Sequence, residues 1–346
     1  RQMLIIDNTI SSKNIPKIKS HLFRVIHQSP MTLNLTMSPM TGSLMNELMV
    51  VSWFPYDKSD EVEKFILKIF GKGTEKFMHR TRETRTMGTL NKMEFFESYM
   101  YAVFGNAFLY TFVEGTVLSS KTIFNVWGEL AISVAQFHSM PTPRFKELDV
   151  SRPFIIWSIQ ELLIALSECD TSDMQPPMMS VELYRIEFAW LWSVIESLGV
   201  PLTVCHNDLS PENLILKDTT PVQLATVGKE LRFLDFEFTG LNYFIYDIAS
   251  LFCTCCVENV TDFGTYPSLT NQKEWVEEYF SALRIDLNVT PDFVMENMTP
   301  FMMMSHLFWT LWATVQHYQS DIDYDFKKYC VCRMDEYHKL KNMSSI

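Results

Sequence analysis

Residues 205–216 read Cys-His-Asn-Asp-Leu-Ser-Pro-Glu-Asn-Leu-Ile-Leu, and residues 233–252 read Phe-Leu-Asp-Phe-Glu-Phe-Thr-Gly-Leu-Asn-Tyr-Phe-Ile-Tyr-Asp-Ile-Ala-Ser-Leu-Phe. The first stretch has the form His-x-Asp-x-x-x-x-Asn, filled by His206, Asp208 and Asn213, and it runs into an apolar segment. The second places Asp235 at the end of another apolar segment. Leu214 to Lys217 and Glu230 to Leu234 then read as a hairpin that presents Asn213 and Asp235 at adjacent strand ends. Oxygen donors held side by side in this way suit hard divalent cations and the phosphates they accompany.

This is the spacing of a kinase catalytic loop, in which an Asp accepts a hydroxyl proton and an Asn five residues on holds Mg²⁺. Asp208 is therefore the expected catalytic base, with Asn213 and Asp235 as the expected metal ligands. His206 reads as a structural member of the loop, bonded to backbone. Asp247 reads as buried and hydrogen-bonded, capping the start of the helix it opens.

The two stretches together resemble the choline/ethanolamine kinase family, which is related to aminoglycoside phosphotransferases and more distantly to protein kinases. The family signature D-F-E-[YF]-x-x-x-N-[YF]-x-x-[YF]-D-I-[AG] is filled by Asp235, Phe236, Glu237, Phe238, Asn242, Tyr243, Tyr246, Asp247, Ile248 and Ala249. The resemblance implies an α+β, bilobal protein-kinase-like fold. Residues 1–113 would form a small nucleotide-binding lobe with an antiparallel β-sheet, and residues 114–346 a large, mostly helical catalytic and substrate-binding lobe. It implies ATP as phosphoryl donor, Mg²⁺ as cofactor and a small amino alcohol as acceptor. Many relatives pair as homodimers.

The order of the remaining segments agrees with that implication. Thr32 to Val51 reads as a hairpin broken at Ser38-Pro39-Met40-Thr41-Gly42-Ser43, where small residues let backbone N–H groups approach phosphates. Gly42 and Asn46 fit the family loop pattern, whereas Ser43 and Met45 replace its second Gly and its Ser. By itself this is a plain hairpin turn. Lys64 to Phe70 reads as a strand with Lys68 in its middle, expected to neutralise the non-transferred phosphates and to be held by Glu83 of a helix over Thr74 to Lys92. Taken alone, that pair reads rather as a surface ion pair on a solvated strand and helix. Two further strands, Tyr99 to Phe104 and Ala107 to Val113, would end in a hinge at Thr111 to Val113 that receives adenine.

Amphipathic helices are expected over Ile15 to His27, Thr122 to His138, Ile155 to Cys169, Val181 to Leu198, Tyr246 to Val257, Lys273 to Leu283, Thr299 to Gln319 and Asp325 to Leu340. The run Phe301 to Val315 is shorter than the ~18 residues of a membrane span and contains His306, so it reads as a buried helix.

The acceptor pocket is expected from Asp208, Glu237, Phe238, Tyr243, Trp309, Trp312 and Tyr329. A quaternary ammonium has no N–H to donate and is held by aromatic faces. Trp309 and Trp312 are three apart and share a helix face, as the family's Trp pair does; on spacing alone they read as core. The family Glu two residues after Phe252 is Thr254 here, and Glu258 lies one turn on. Two Trp and the missing Glu tilt the expectation to choline, phosphorylated to phosphocholine in the first step towards phosphatidylcholine. Ethanolamine kinase is the alternative, and a non-catalytic nucleotide-binding pseudokinase scaffold is the alternative from another class.

Composition sets outer limits. The 346 residues carry 29 basic and 41 acidic side chains, a net charge of −12. That balance argues against nucleic acid and anionic membranes as partners. No early apolar run has a basic lead and a small-residue cleavage site, and the seven cysteines are odd in number. Both point to a reduced, cytoplasmic setting. Cys253, Cys255 and Cys256 lack zinc-ligand spacing and read as small helix positions.

Overall fold

A computed structural model describes residues 4–6, 9–11, 13–25, 33–55, 62–93, 99–146, 148, 151–172, 174, 178–217, 230–259 and 262–344. The chain divides into two compact units. One comprises residues 1–75, 87–114 and 320–324, the other residues 76–86, 115–319 and 325–346.

The first unit is built on a six-stranded sheet, of order β1-β5-β6-β4-β3-β2. Its strands are β1 (Leu4–Ile6), β2 (Leu33–Met40), β3 (Asn46–Pro55), β4 (Glu63–Phe70), β5 (Met100–Phe104) and β6 (Ala107–Thr111). The expected hairpin forms, with Met40 opposite Leu48 across the Gly42 turn. Gly42 has φ 113°, a conformation that glycine adopts without steric cost. Alternation on β4 turns Phe65, Leu67 and Ile69 into the core with Val51, Trp53, Ala102 and Leu109. Helix α1 (Ile15–Val25) closes this core with Ile18 and Leu22.

Two features depart from the sequence reading. The segment before α1, for which no strand is read above, contributes β1, which pairs in parallel with β5. The Asn106 side chain secures this segment, accepting from the Ile10 N–H and donating to the Ile10 carbonyl, both at 2.8 Å. The helix expected over Thr74 to Lys92 is interrupted. A 3₁₀ turn at Thr74–Lys76 precedes α2 (Arg80–Lys92), because Thr74 bonds back to Gly71 through both its N–H and its hydroxyl. Residues 26 and 27 of the expected first helix lie outside the described residues.

The second unit is mostly helical. It contains α3 (Trp127–His138), α4 (Phe154–Ser167), α5 (Val181–Ser197), α6 (Phe244–Thr254), α7 (Leu269–Ala282), α8 (Pro291–Glu296), α9 (Met298–Gln319) and α10 (Phe326–Met343). Helix α9 is apolar nearly all round. Its residues from Pro300 to Gln316 are all buried, as expected of a helix packed on every side, here against α4, α5, α6 and α10. Among the described residues no helix is long and apolar enough to cross a membrane.

Two small β elements carry the loops of interest. β8 (Leu202–Cys205) pairs antiparallel with β11 (Gly240–Tyr243). β9 (Leu214–Leu216) pairs with β10 (Leu231–Phe233), the expected hairpin, and with β7 (Thr116–Val117) on its other side. The β8–β11 pair was not legible, because four-residue strands flanked by long helices leave little periodicity to read.

Candidate active site

The loop from His206 to Asn213 leaves β8 and is held from beneath by one carboxylate. Asp247 on α6 is fully buried, and its Oδ2 and Oδ1 accept the backbone N–H groups of His206 and Asn207, each at 2.6 Å. Its Oδ2 also accepts from His138 Nε2 at 3.1 Å, and the Tyr279 hydroxyl lies 2.9 Å from His138 Nδ1. Since the carboxylate accepts, Nε2 is the imidazole nitrogen that donates to it, and Nδ1 faces the Tyr279 hydroxyl. Asp247 is thus buried and hydrogen-bonded as expected, but it does not cap α6. The N-cap position is Tyr243, without a side-chain cap, and Asp247 serves the loop across from it.

Asn207 takes φ 67° and Asp235 φ 55°, left-handed conformations that Asn and Asp tolerate best among non-glycine residues. Asn207 is locked there by donating to the Phe238 carbonyl at 2.9 Å and accepting from Asn242 Nδ2 at 2.7 Å. His206 Nε2 donates to the Leu234 carbonyl at 2.8 Å, and burial lowers its pKa, so it stays neutral. These bonds tie the catalytic-type loop to the segment that carries Asp235. Asn207 and His138 were missed by the sequence reading, since an unassigned loop position and a distant histidine carry no local signal.

Above this frame the acids gather. Asn213 Nδ2 donates to the Asp208 carbonyl at 2.9 Å and to its Oδ2 at 2.8 Å. That engages the amide nitrogen and leaves Oδ1 as the atom available to a cation. Glu83, Asp235 and Glu237 each offer a carboxylate oxygen within 4.8 Å of the others. Arg80 lies among them, its Nη1 2.7 Å from Glu237 and 3.2 Å from Glu83. Burial, then the charges of Asp235 and Glu237, push the Asp208 carboxyl up to about 8. Three carboxylates, Glu83, Asp235 and Glu237, thus gather near the Arg80 guanidinium, and all offer oxygen, the donor that a hard divalent cation takes.

The expected acceptor rings come together. Phe238 and Trp309 have ring centroids 5.3 Å apart, Trp309 and Trp312 5.4 Å, and Trp312 and Tyr329 6.1 Å, all edge to face. Tyr243 does not join them; its ring packs on Phe301 at 5.9 Å. Where the family Glu would stand, the Thr254 hydroxyl donates back to the Ser250 carbonyl. Glu258 is half-exposed and pairs with Lys121 at 3.3 Å. The charged group beside the rings is instead Arg333, only 2% exposed, its guanidinium 3.8 Å from the Phe263 centroid and 5.3 Å from that of Tyr329. It donates to the Tyr329 hydroxyl at 3.2 Å and towards His306 Nδ1 at 3.5 Å. His306 Nε2 then donates to Tyr266, whose hydroxyl donates to Glu336, each at 3.1 Å. This chain of hydrogen bonds links the guanidinium to the Glu336 carboxylate.

The first unit holds the residues expected to meet nucleotide. Ser43 Oγ accepts from the Asn46 N–H at 3.0 Å, which shapes the Gly42 turn. Asn46 and Lys68 are buried, Lys68 with its ammonium 5.8 Å from the Phe108 centroid. Thr111 bonds the Tyr99 segment through both N–H and hydroxyl. Lys68 and Glu83 fall in different units of the chain.

Comparison with known proteins agrees with these motifs. The family model for choline/ethanolamine kinase matches residues 37–338. Ethanolamine kinase 2 of Homo sapiens is 27% identical over 317 residues, covering 88% of this chain and 76% of that protein. A probable choline kinase 2 of Arabidopsis thaliana is 24% identical over 312 residues, covering 88% and 85%. Among solved structures, a Plasmodium vivax ethanolamine kinase superposes with TM-score 0.75 at 19% identity, covering 94% of this chain and 89% of that one. A putative aminoglycoside phosphotransferase from Ralstonia eutropha reaches 0.53 at 13% identity, covering 94% and 98%. The fold is therefore the bilobal, protein-kinase-like α+β fold that the two motifs implied, and the chain belongs to the choline/ethanolamine kinase family of kinases.

Proposed function

We propose that this protein transfers the γ-phosphoryl group of ATP to the hydroxyl of a small amino alcohol, with ethanolamine preferred to choline. The observation that carries the phosphoryl-transfer reading is the 2.8 Å bond from Asn213 to Asp208, set beside the Asp235 and Glu237 carboxylates. Asp208 would orient the acceptor hydroxyl and take its proton as the new P–O bond forms and ADP leaves. Asn213 Oδ1 and Asp235 would hold Mg²⁺, which when bound neutralises charge on the transferring phosphates. Without a cation, the raised pKa of Asp208 keeps it protonated at pH 7; a neighbouring positive charge favours the ionised form that can accept a proton. Lys68 would neutralise the non-transferred phosphates, with Gly42, Ser43 and Asn46 against them and Thr111 to Val113 receiving adenine.

Two observations support ethanolamine. The relatives that match include ethanolamine kinases of vertebrates and of Drosophila melanogaster. The Trp309 and Trp312 rings lie edge to face, and the Tyr329 ring already carries the Arg333 cation. A primary ammonium can instead donate to the acids beside Asp208, which a trimethylammonium cannot do. The test is ADP release with ATP and Mg²⁺, run side by side on ethanolamine and choline. A kcat/KM at least ~10-fold higher for ethanolamine, about 1.4 kcal/mol of discrimination, is expected. A choline preference would refute the specificity, and ATP binding without turnover of either would favour a non-catalytic scaffold.

A further inference from the structure

The second unit contains a cavity of about 270 Å³ on another side of α2 from the carboxylates. Among the described residues its lining includes Arg82, Arg85 and Arg152 together with His79, and no acidic side chain. In a chain of net charge −12, three guanidiniums turned into one hollow are a local reversal of sign. Residues two apart on an α-helix point roughly 200° apart. So Arg80 reaches the Glu237 carboxylate, whereas Arg82 lies over Phe154 and Trp157 and meets Glu237 only at its backbone carbonyl.

Arg82 rests on the faces of Phe154 and Trp157, 5.0 and 4.8 Å from the ring centroids. Its hydrogen bond to protein is a long one, Nη2 to the Glu237 carbonyl at 3.4 Å, and its buried Nε has no partner. Arg85 lies one turn on, on the same side of the helix, and among the described residues it makes no hydrogen bond or ion pair. Arg152 is anchored to Gln160 at 2.7 Å. Burial lowers the Arg82 pKa to about 10, outweighing the opposing charge of Glu83. Glu161 acts on His79 electrostatically but does not line the hollow. The floor is rigid: a Cβ on Gly240 would lie 2.8 Å from the Phe154 ring, so ring and strand are in direct contact.

A desolvated guanidinium with unsatisfied donors is costly unless an anion completes it, and arginine's planar fork matches phosphate oxygens two at a time. The volume is about that of nine waters, below the range for drug-sized ligands, and suits a small monoester. We propose that this cavity is a second ligand site, separate from the catalytic acids, that binds a small phosphate monoester through Arg82, Arg85 and Arg152.

Calorimetry on the full chain at low ionic strength tests this, with phosphorylethanolamine and inorganic phosphate as the probes. One site per chain is expected, retained in Asp208→Asn, whose change lies in the catalytic acids. Arg85→Gln alters an exposed side chain and should weaken binding at least ~10-fold, while kcat and KM without added anion stay at wild-type values. Stronger binding of phosphorylethanolamine than of inorganic phosphate would identify a monoester site; equal affinity would narrow the ligand to the phosphate alone and overturn the monoester. Binding unchanged in Arg85→Gln would put the anion elsewhere and overturn the proposal. Absence of binding by both probes would overturn it as well, and a change of molecular mass in Arg85→Gln would then make this face a protein interface.

Discussion

Replacing Asp247 is the sharpest probe of how the loop is held. Its carboxylate receives three donors, the N–H groups of His206 and Asn207 at 2.6 Å and His138 Nε2 at 3.1 Å, in a fully buried place. Asp247→Ala leaves all three without a partner. Each buried donor left unsatisfied costs about 1–3 kcal/mol, so the sum is roughly 3–9 kcal/mol. That is comparable with a whole domain's stability, and the Ala variant should not accumulate as folded protein. Asp247→Asn is the informative change. Its amide oxygen keeps one backbone N–H, while its NH₂ faces the remaining donors, so a loss of about 2–4 kcal/mol is expected. Urea unfolding of the Asn variant measures the loss, and kcat measured on the folded fraction reports whether Asp208 has moved. The loop hangs on these bonds, so kcat should fall with stability. A variant within about 0.5 kcal/mol of wild type (the scatter of surface substitutions) and with wild-type kcat would refute the reasoning.

Asp208→Asn should lower kcat by at least ~10³, because the positioned base is lost. In EDTA the same variant should be more stable than wild type at neutral pH. A carboxyl raised from 3.8 to about 8 costs folding free energy as pH rises between those values, so the gain should vanish below about pH 4 and be complete near pH 8; a gain independent of pH would refute the shift. Trp309→Ala and Trp312→Ala should raise KM for choline about tenfold for each ~1.4 kcal/mol of ring–ammonium attraction removed. Unchanged KM in both, with only stability reduced, would leave these rings as core.

Much of the site was legible because its chemistry is local. His206, Asp208 and Asn213 are spaced along one loop, and Asp235 follows the strand that pairs beside it, so order and spacing carry the motif. The helices of the second unit were legible for a related reason: α5 repeats apolar residues at helical period over whole turns, and α9 is an apolar run too long for a strand. Strands of two to four residues, such as β7 and β11, have no such period, and β1 joins its sheet by pairing with β5, about a hundred positions along the chain. Thr254 was visible as a departure, but not what stands near the rings in its stead. Arg333 occupies that place because α10 lies along α9, a packing choice with no sequence-local trace.

The sequence by itself determined the fold family, the catalytic-type loop and the residue types that meet phosphate and metal, because these depend on composition over short spans and on spacing. Only the tertiary structure decided that Asp247 serves the loop rather than its own helix, that Arg80 bridges Glu83 and Glu237, and that Arg82 lines one cavity with Arg85 and Arg152. Those outcomes depend on which side chains are brought within about 3 Å across long stretches of chain, and that is set by how the helices pack.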